Sequence, residues 1–225
     1  MLKILDMSFI VIDGADGSGK ATQVSLLVER LKAECQAVET IDFPQYKNNI
    51  FGQLLRECLD GKRGDFLQVD SRIASTLYAA DRFESAPKIR EWLAAGKTVV
   101  ADRYVSSNML HQGAKLHDEA TRTEFLSWLD NMEHGVFALP RPDLILYLDI
   151  PYSYRLKMML QDKTRGELDQ AEVNAEHQDQ TEAAAQKLVA GFNSWQAISC
   201  VTEEGSLNSR EAIHELIYSA IKPVI

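Results

Sequence analysis

One stretch constrains this chain more than any other: Gly14-Ala15-Asp16-Gly17-Ser18-Gly19-Lys20. It follows an apolar run, Phe9 to Ile12, that reads as a buried strand, and it precedes a helical pattern starting near Thr22. G-x-x-x-x-G-K between a strand and a helix has the spacing of a phosphate-binding loop. Phosphate oxygens need many short donors, and glycines at 14, 17 and 19 let backbone N–H groups approach without an intervening Cβ. The helix that follows adds its own free N–H groups and positive dipole end, and Lys20 adds a mobile charge. Gly14, Ala15, Asp16, Gly17, Ser18, Gly19, Lys20, Ala21 and Thr22 are therefore the candidate residues for holding a nucleotide's phosphates. The motif departs from its strict form at Ala21, where a hydroxyl ligand for magnesium is usual; Thr22 follows.

The rest of the chain alternates strands with helices. Val38 to Phe43, Thr98 to Asp102, Leu144 to Leu148 and Ile198 to Val201 read as further strands, the second and third nearly all apolar as in buried parallel sheets. Helical patterns cover the first helix with Val24, Leu27, Val28 and Leu31 inward, then Ile50 to Leu59. A further helix starts at Asp70 with Ile73, Leu77 and Ala80 on one side. Pro87 is expected to kink that helix or restart it. Asp118 reads as the cap of a helix with Leu126, Leu129 and Met132 inward. Further helices follow from Tyr154 to Gln161 and to about Gly191, and a final one has an Asn208–Glu211 cap and Ile213, Leu216, Ile217 and Ile221 inward. The pattern predicts one domain, residues 1–225, with an α/β architecture: three layers, and a mostly parallel five-stranded sheet flanked by helices.

Composition narrows the function. A formal net charge of −9 argues against coating nucleic acid or an anionic membrane surface, both of which need a basic face. Cys35, Cys58 and Cys200 are odd in number and widely spaced, which fits reduced thiols in a cytoplasmic protein. No C-x-x-C or H-E-x-x-H zinc pattern occurs, and neither a signal peptide nor a membrane-spanning run is visible.

A second constellation follows the Thr98 strand. Asp102-Arg103-Tyr104 runs into Ser106, Ser107, Asn108, His111 and Gln112, and it opens at the same sheet edge as the phosphate loop. Earlier, Leu77-Tyr78-Ala79-Ala80-Asp81-Arg82 places Tyr78 and Arg82 on one helical face. With Phe43-Pro44-Gln45-Tyr46, Pro142-Asp143-Leu144 and the run from Arg165 to Glu172, these pieces resemble the thymidylate kinases, nucleoside-monophosphate kinases of the P-loop NTPase fold, in family order from about 9 to 180.

The resemblance implies transfer of the γ-phosphoryl group of ATP to dTMP, giving dTDP for dTTP synthesis, with Mg2+ required, a mobile lid over approximately 162–176 and a homodimer. Lys20, Arg103, Arg165, Asp16 and Asp102 would form the catalytic set. Arg103 would clamp the acceptor phosphate, and Arg165 would close over the transferred group, a role suited to a chain with Gly17 rather than an arginine in the loop. Asp16 and Asp102 would lie near the metal, directly or through water, with Asp16 also near the sugar 3′-hydroxyl. Tyr78 would stack on the pyrimidine, Arg82 would reach a carbonyl, Asn108 would read the base edge, and Phe43, Tyr46, Ser107 and Gln112 would complete the acceptor site. No general base is required, because a monophosphate with a second pKa of about 6 is already ionised, and no histidine is assigned a catalytic role. Three residues depart from the family pattern: Ala21, His111 where tyrosine is usual near the ribose 2′ position, and Tyr78 where phenylalanine is common. They keep two alternatives open, a kinase for another pyrimidine monophosphate and a nucleotide-binding protein with weak or no transfer. A guanine-reading N-K-x-D motif is absent.

Overall fold

The computed structural model describes residues 8–161 and 174–225. Its strands are β1 (Phe9–Asp13), β2 (Val38–Asp42), β3 (Thr98–Asp102), β4 (Leu144–Asp149) and β5 (Trp195–Ser199). All pair in parallel, in the order β2-β3-β1-β4-β5. The helices are α1 (Lys20–Ala33), α2 (Ile50–Leu59), α3 (Ser71–Ala94), α4 (Val105–Ala114), α5 (Glu119–Asp130), α6 (Tyr152–Gln161), α7 (Ala175–Gly191) and α8 (Arg210–Ile221). A π-helical turn, Asn131–Val136, continues α5.

Successive side chains of a strand face opposite sides of its sheet, and the central strands divide the core accordingly. Phe9, Val11, Val99, Ala101, Ile145 and Tyr147 pack with Ala79, Ala86 and Ile89 of α3, Leu110 of α4 and Phe125 and Leu129 of α5. Ile10, Ile12, Val100, Leu144, Leu146 and Leu148 face Leu27 and Leu31 of α1 and Ile213, Ile217 and Ile221 of α8. These are the three layers the strand and helix pattern predicts. β1 lies at the centre between β3 and β4; the chain leaves it for β2 on one side and crosses from β3 to β4 on the other, so the loop after β1 opens at the switch point where α/β sheets bind ligands.

Several details differ from the sequence reading. α1 begins at Lys20 rather than near Thr22, because Gly19 in the left-handed region, φ 81°, turns the chain straight into the helix. α3 runs through Pro87 as one helix, held to the sheet by buried Ala79, Ala86 and Ile89 on both sides of the proline. Most of its buried residues are small, Ser71, Ala74, Ser75, Ala79 and Ala86, and Ile73 is 60% exposed. Met132 is buried in the π-helical turn rather than in α5. β5 starts at Trp195, since an edge strand buried only at Trp195 and Ile198 shows no apolar run. Val201 instead bridges Leu207. Ser209, not Asn208, caps α8 by accepting from Ala212 N at 3.1 Å, and Leu216 is 44% exposed. Asp118 caps α5 as read, accepting from Thr121 N at 2.8 Å. The expected lid falls mostly outside the described residues, as does Arg165. All three cysteines are free thiols, with Cys58 and Cys200 buried. Among the described residues no helix is long and apolar enough to cross a membrane.

Candidate active site

The loop after β1 depends on glycine for two separate reasons. A Cβ at Gly14 would come within 2.7 Å of Ser18 Oγ and 3.1 Å of Leu148 O, so packing demands glycine there. A Cβ at Gly19 would meet nothing within 4 Å; its φ of 81° is what demands glycine. Lys20 is buried and donates from Nζ to Gly14 O and Ala15 O, each at 2.9 Å. Burial, reinforced by the Arg103 charge, lowers its pKa to about 8.

Beneath the loop lies Asp13, the fully buried end of β1, which the sequence reading did not single out. It accepts from Gly14 N at 2.8 Å, Ser106 Oγ at 2.5 Å and Ser107 Oγ at 2.9 Å. An acidic residue closing a buried apolar strand was the available signal. Asp13 ties the start of α4 to the start of the phosphate loop.

Arg103 bridges the two constellations. It holds φ 67°, an uncommon conformation for a side-chain-bearing residue and one that clusters at functional sites. Its backbone N–H donates to Ile12 O at 3.0 Å. The guanidinium pairs with Asp16, lies 3.7 Å from Asp13 and reaches Gly14 O at 3.4 Å, Ser107 Oγ at 3.5 Å and His111 Nε2 at 3.4 Å. Burial opposes its charge, but Asp16, Asp13 and Asp102 outweigh that and hold its pKa above the ordinary value. Burial likewise raises the Asp102 pKa, against the pull of Lys20 and Arg103.

Two clefts meet here. The first runs along the loop, lined by Asp16 to Gln23, Asp102 and Arg103, with Met158 and Met159 of α6 and Asn208, Arg210 and Ile213 near α8 on its walls. The second is a neighbouring pocket lined by Phe43, Tyr46, Tyr78, Arg82, Ser107, Asn108, His111 and Gln112. Asp16, Phe43, Pro44, Tyr46 and Arg103 line both. Every predicted acceptor residue thus lies on one pocket, and Lys20, Asp16, Asp102 and the loop lie on the other.

The sequence reading also missed the pocket's floor. Phe66, from a 3₁₀ turn, packs 6.1 Å from the Tyr78 ring, and Leu59, Leu67, Tyr104 and Lys115 complete the lining. Arg82 and Asn108 do not stand free: both bond the buried carboxylate of Glu133. Arg155 of α6, also missed, is fully buried and donates to Asp16 O at 3.2 Å, Ile150 O at 2.9 Å and Gln178 Oε1 at 2.6 Å, joining α6 and α7 to the phosphate loop. Nothing in the local sequence marks either residue, because both act through partners far along the chain.

Comparison with known proteins gives a consistent result. The chain is 32% identical to a probable thymidylate kinase of Pyrococcus abyssi over 221 residues, covering 95% of each chain. It is 36% identical to the human thymidylate kinase over 143 residues, 64% of this chain and 61% of that one. It is 34% identical to the Mycobacterium tuberculosis thymidylate kinase over 134 residues, and that match spans only 62% of the mycobacterial chain. The solved thymidylate kinase of Candida albicans superposes with a TM-score of 0.74 over 96% of this chain and 91% of that one, at 23% identity, a likeness of fold. A family model described as thymidylate kinase matches residues 12–214, which spans the phosphate loop, the pocket and the helices that frame them; the chain belongs to the thymidylate kinase family.

Proposed function

We propose that the protein transfers the γ-phosphoryl group of ATP to dTMP, giving dTDP and ADP. The observation that carries this reading is the junction of the two clefts at Arg103 and Asp16. A phosphoryl transfer needs two mutually repelling anions held in line, with charge on the transferred group neutralised. The loop amides and Lys20 hold the donor phosphates, and the Arg103 fork holds the acceptor phosphate, which it can grip with two parallel N–H bonds. Asp16 holds that fork in place. Tyr78 and Phe66 offer the base an aromatic wall, and Arg82, Asn108 and Gln112 offer it polar contacts. Arg165 is assigned the closing charge over the transferred group, a role that operates only once water is excluded.

Magnesium fits the donor set. Among the described residues no group of three or more His, Cys, Asp or Glu side chains could hold a metal unaided, and Ala21 supplies no hydroxyl. Mg2+ commonly needs only one or two carboxylates and takes its remaining ligands from water and nucleotide phosphates, which Asp102 and Asp16 beside the loop would allow. When bound, it neutralises charge on the phosphates.

The reading extends to a cytoplasmic homodimer that binds neither nucleic acid nor membrane. Exposed Ile50 and Phe83 support an interface on α2 and α3, which Phe51 N and Glu84 bring side by side at 3.3 Å. A monomeric sedimentation coefficient would overturn the dimer. His111 lies 3.4 Å from Arg103 in the same pocket, so the rival substrate, another pyrimidine monophosphate, is tested beside dTMP. An ADP-release assay with ATP and Mg2+ on dTMP, dUMP, UMP, dCMP and dGMP separates the readings. Preference for dTMP is the expected result. Preference for another monophosphate would keep the mechanism and change the substrate, and no turnover with any would favour a binding protein.

A further inference from the structure

Glu133 has no place in the activity described so far, yet it is among the most enclosed charges in the molecule, with 0% exposure. It sits on the π-helical turn after α5, an irregularity often found at functional sites. Its carboxylate accepts from Arg82 Nε at 2.9 Å, pairs with Arg82 Nη2 as well, and accepts from Asn108 Nδ2 at 3.1 Å. Arg82 also donates to Tyr104 O at 3.2 Å, and Asn108 Nδ2 also donates to Ser75 O at 3.2 Å. One carboxylate therefore holds two side chains, from α3 and α4, that line the same pocket.

These bonds fix the polarity of the pocket wall. Both partners of the Asn108 amide nitrogen are pure acceptors, so Nδ2 must face inward and Oδ1 is the end left for the pocket. Arg82 carries more N–H donors than its bonds to Glu133 and Tyr104 use, so toward the pocket it can only donate. The wall thus offers an acceptor beside a donor. A 4-oxo pyrimidine presents the complement, a ring N3–H donor beside a C4 carbonyl acceptor. A 4-amino pyrimidine presents the reverse, an N3 acceptor beside an amino donor, and would leave buried groups unpaired. We infer that Glu133 is a positioning residue that sets the donor and acceptor pattern of Asn108 and Arg82 and thereby selects 4-oxo over 4-amino pyrimidine monophosphates. The inference rests on the proposed assignment of this pocket to the acceptor base.

The test is Glu133→Gln. Glutamine offers one oxygen where Glu133 gives Arg82 Nε, Arg82 Nη2 and Asn108 Nδ2 two, so its amide nitrogen faces at least one of these donors whichever way it turns. The Asn108 amide and the Arg82 guanidinium are then no longer held in the orientation that the carboxylate fixes. Affinity for dTMP and dCMP is read by calorimetry, and kcat/KM for both by ADP release, with thermal unfolding as the control for folding. The expected result is a fall of roughly tenfold or more in the dTMP-to-dCMP ratio, because only dTMP uses the oriented acceptor and donor. A folded variant with an unchanged ratio, or one that loses both ligands equally, overturns the inference, since a merely structural role moves both together. Asn108→Leu leaves the Arg82–Glu133 pair intact and removes the oriented acceptor; it should lower the same ratio. An unchanged ratio in that variant overturns the inference even where Glu133→Gln fails to fold. Because affinity is read apart from turnover, a chain that prefers dTMP yet transfers nothing fails the proposed activity alone, and the affinity ratio of the variants then decides the role of Glu133.

Discussion

The phosphate loop takes its donors from consecutive residues, 14 to 20, with Lys20 folded back on the carbonyls of Gly14 and Ala15. The pocket proposed for the acceptor gathers Phe43 and Tyr46 from after β2, Tyr78 and Arg82 from α3, and Asn108 and Gln112 from α4, over a floor that includes Phe66. The loop uses main-chain groups whose direction is set by local φ and ψ. The pocket uses side chains whose direction is set by partners far away in sequence, Glu133 above all. The difference is one of robustness: damage to the loop should be severe but confined to the donor, while the pocket can be disturbed from a distance and should respond in graded ways.

The largest effect should come from Lys20→Ala. It removes the one mobile cation of the loop, and turnover should fall by roughly 10³-fold or more, while dTMP affinity measured by calorimetry stays within a few-fold. Equal loss of dTMP binding would show that the two regions are not separable. Next is Arg103→Lys, at the junction. Lysine keeps the charge but not the planar fork that spans Asp16, Gly14 O and His111 Nε2. A drop of about 10²-fold in kcat/KM for the monophosphate is expected, with KM for ATP changed less. An unchanged kcat/KM would mean that Arg103 acts as a point charge.

The same contrast explains what could be read from sequence. The G-x-x-x-x-G-K spacing, the mostly apolar β1 and β3 and the Asp118 cap are local signals, and each stands where the residues placed it. Tyr78 and Arg82, four apart on a helix, share a pocket for the same reason. β5 was misplaced because an edge strand buried only at Trp195 and Ile198 shows no apolar run. Ile73 was expected inward because it fits a helical stripe, but α3 buries mostly alanines and serines, which carry little periodic signal. Glu133 and Arg155 were invisible because their meaning lies in Arg82 and Asn108, and in Asp16 O and Gln178, none of them neighbours in sequence.

Acidity offers a milder probe of the donor side. Burial and the Arg103 charge lower the Lys20 pKa to about 8 in the free protein. Lys20 is charged below that value and neutral above it, so kcat/KM for ATP should fall by about tenfold per pH unit on the alkaline side, since this parameter reports the free enzyme. Bound phosphates favour the charged form, so kcat should hold to higher pH than kcat/KM. In Lys20→Arg the alkaline limb should disappear, because arginine does not titrate in this range. A limb that persists in Lys20→Arg would belong to another group.

The smallest effect separates the two regions from farthest away. Gly52 lies in the first turn of α2, where a Cβ would come within 2.1 Å of Gln45 O, far inside contact distance and against backbone that cannot rotate aside. Gln45 anchors the turn between Phe43 and Tyr46: its N–H donates to Asp81 at 3.1 Å and its Nε2 to Asp42 Oδ1 at 2.7 Å. Gly52→Ala must therefore push this turn or α2 aside, which should destabilise the protein by about 2 kcal/mol. The displaced Phe43 and Tyr46 should raise KM for the monophosphate about threefold. The phosphate loop shares no bond with Gln45, so KM for ATP should stay near its starting value. A parallel rise in both constants would mean that the turn supports the two clefts as one unit, and that the loop is less self-contained than its sequence suggests.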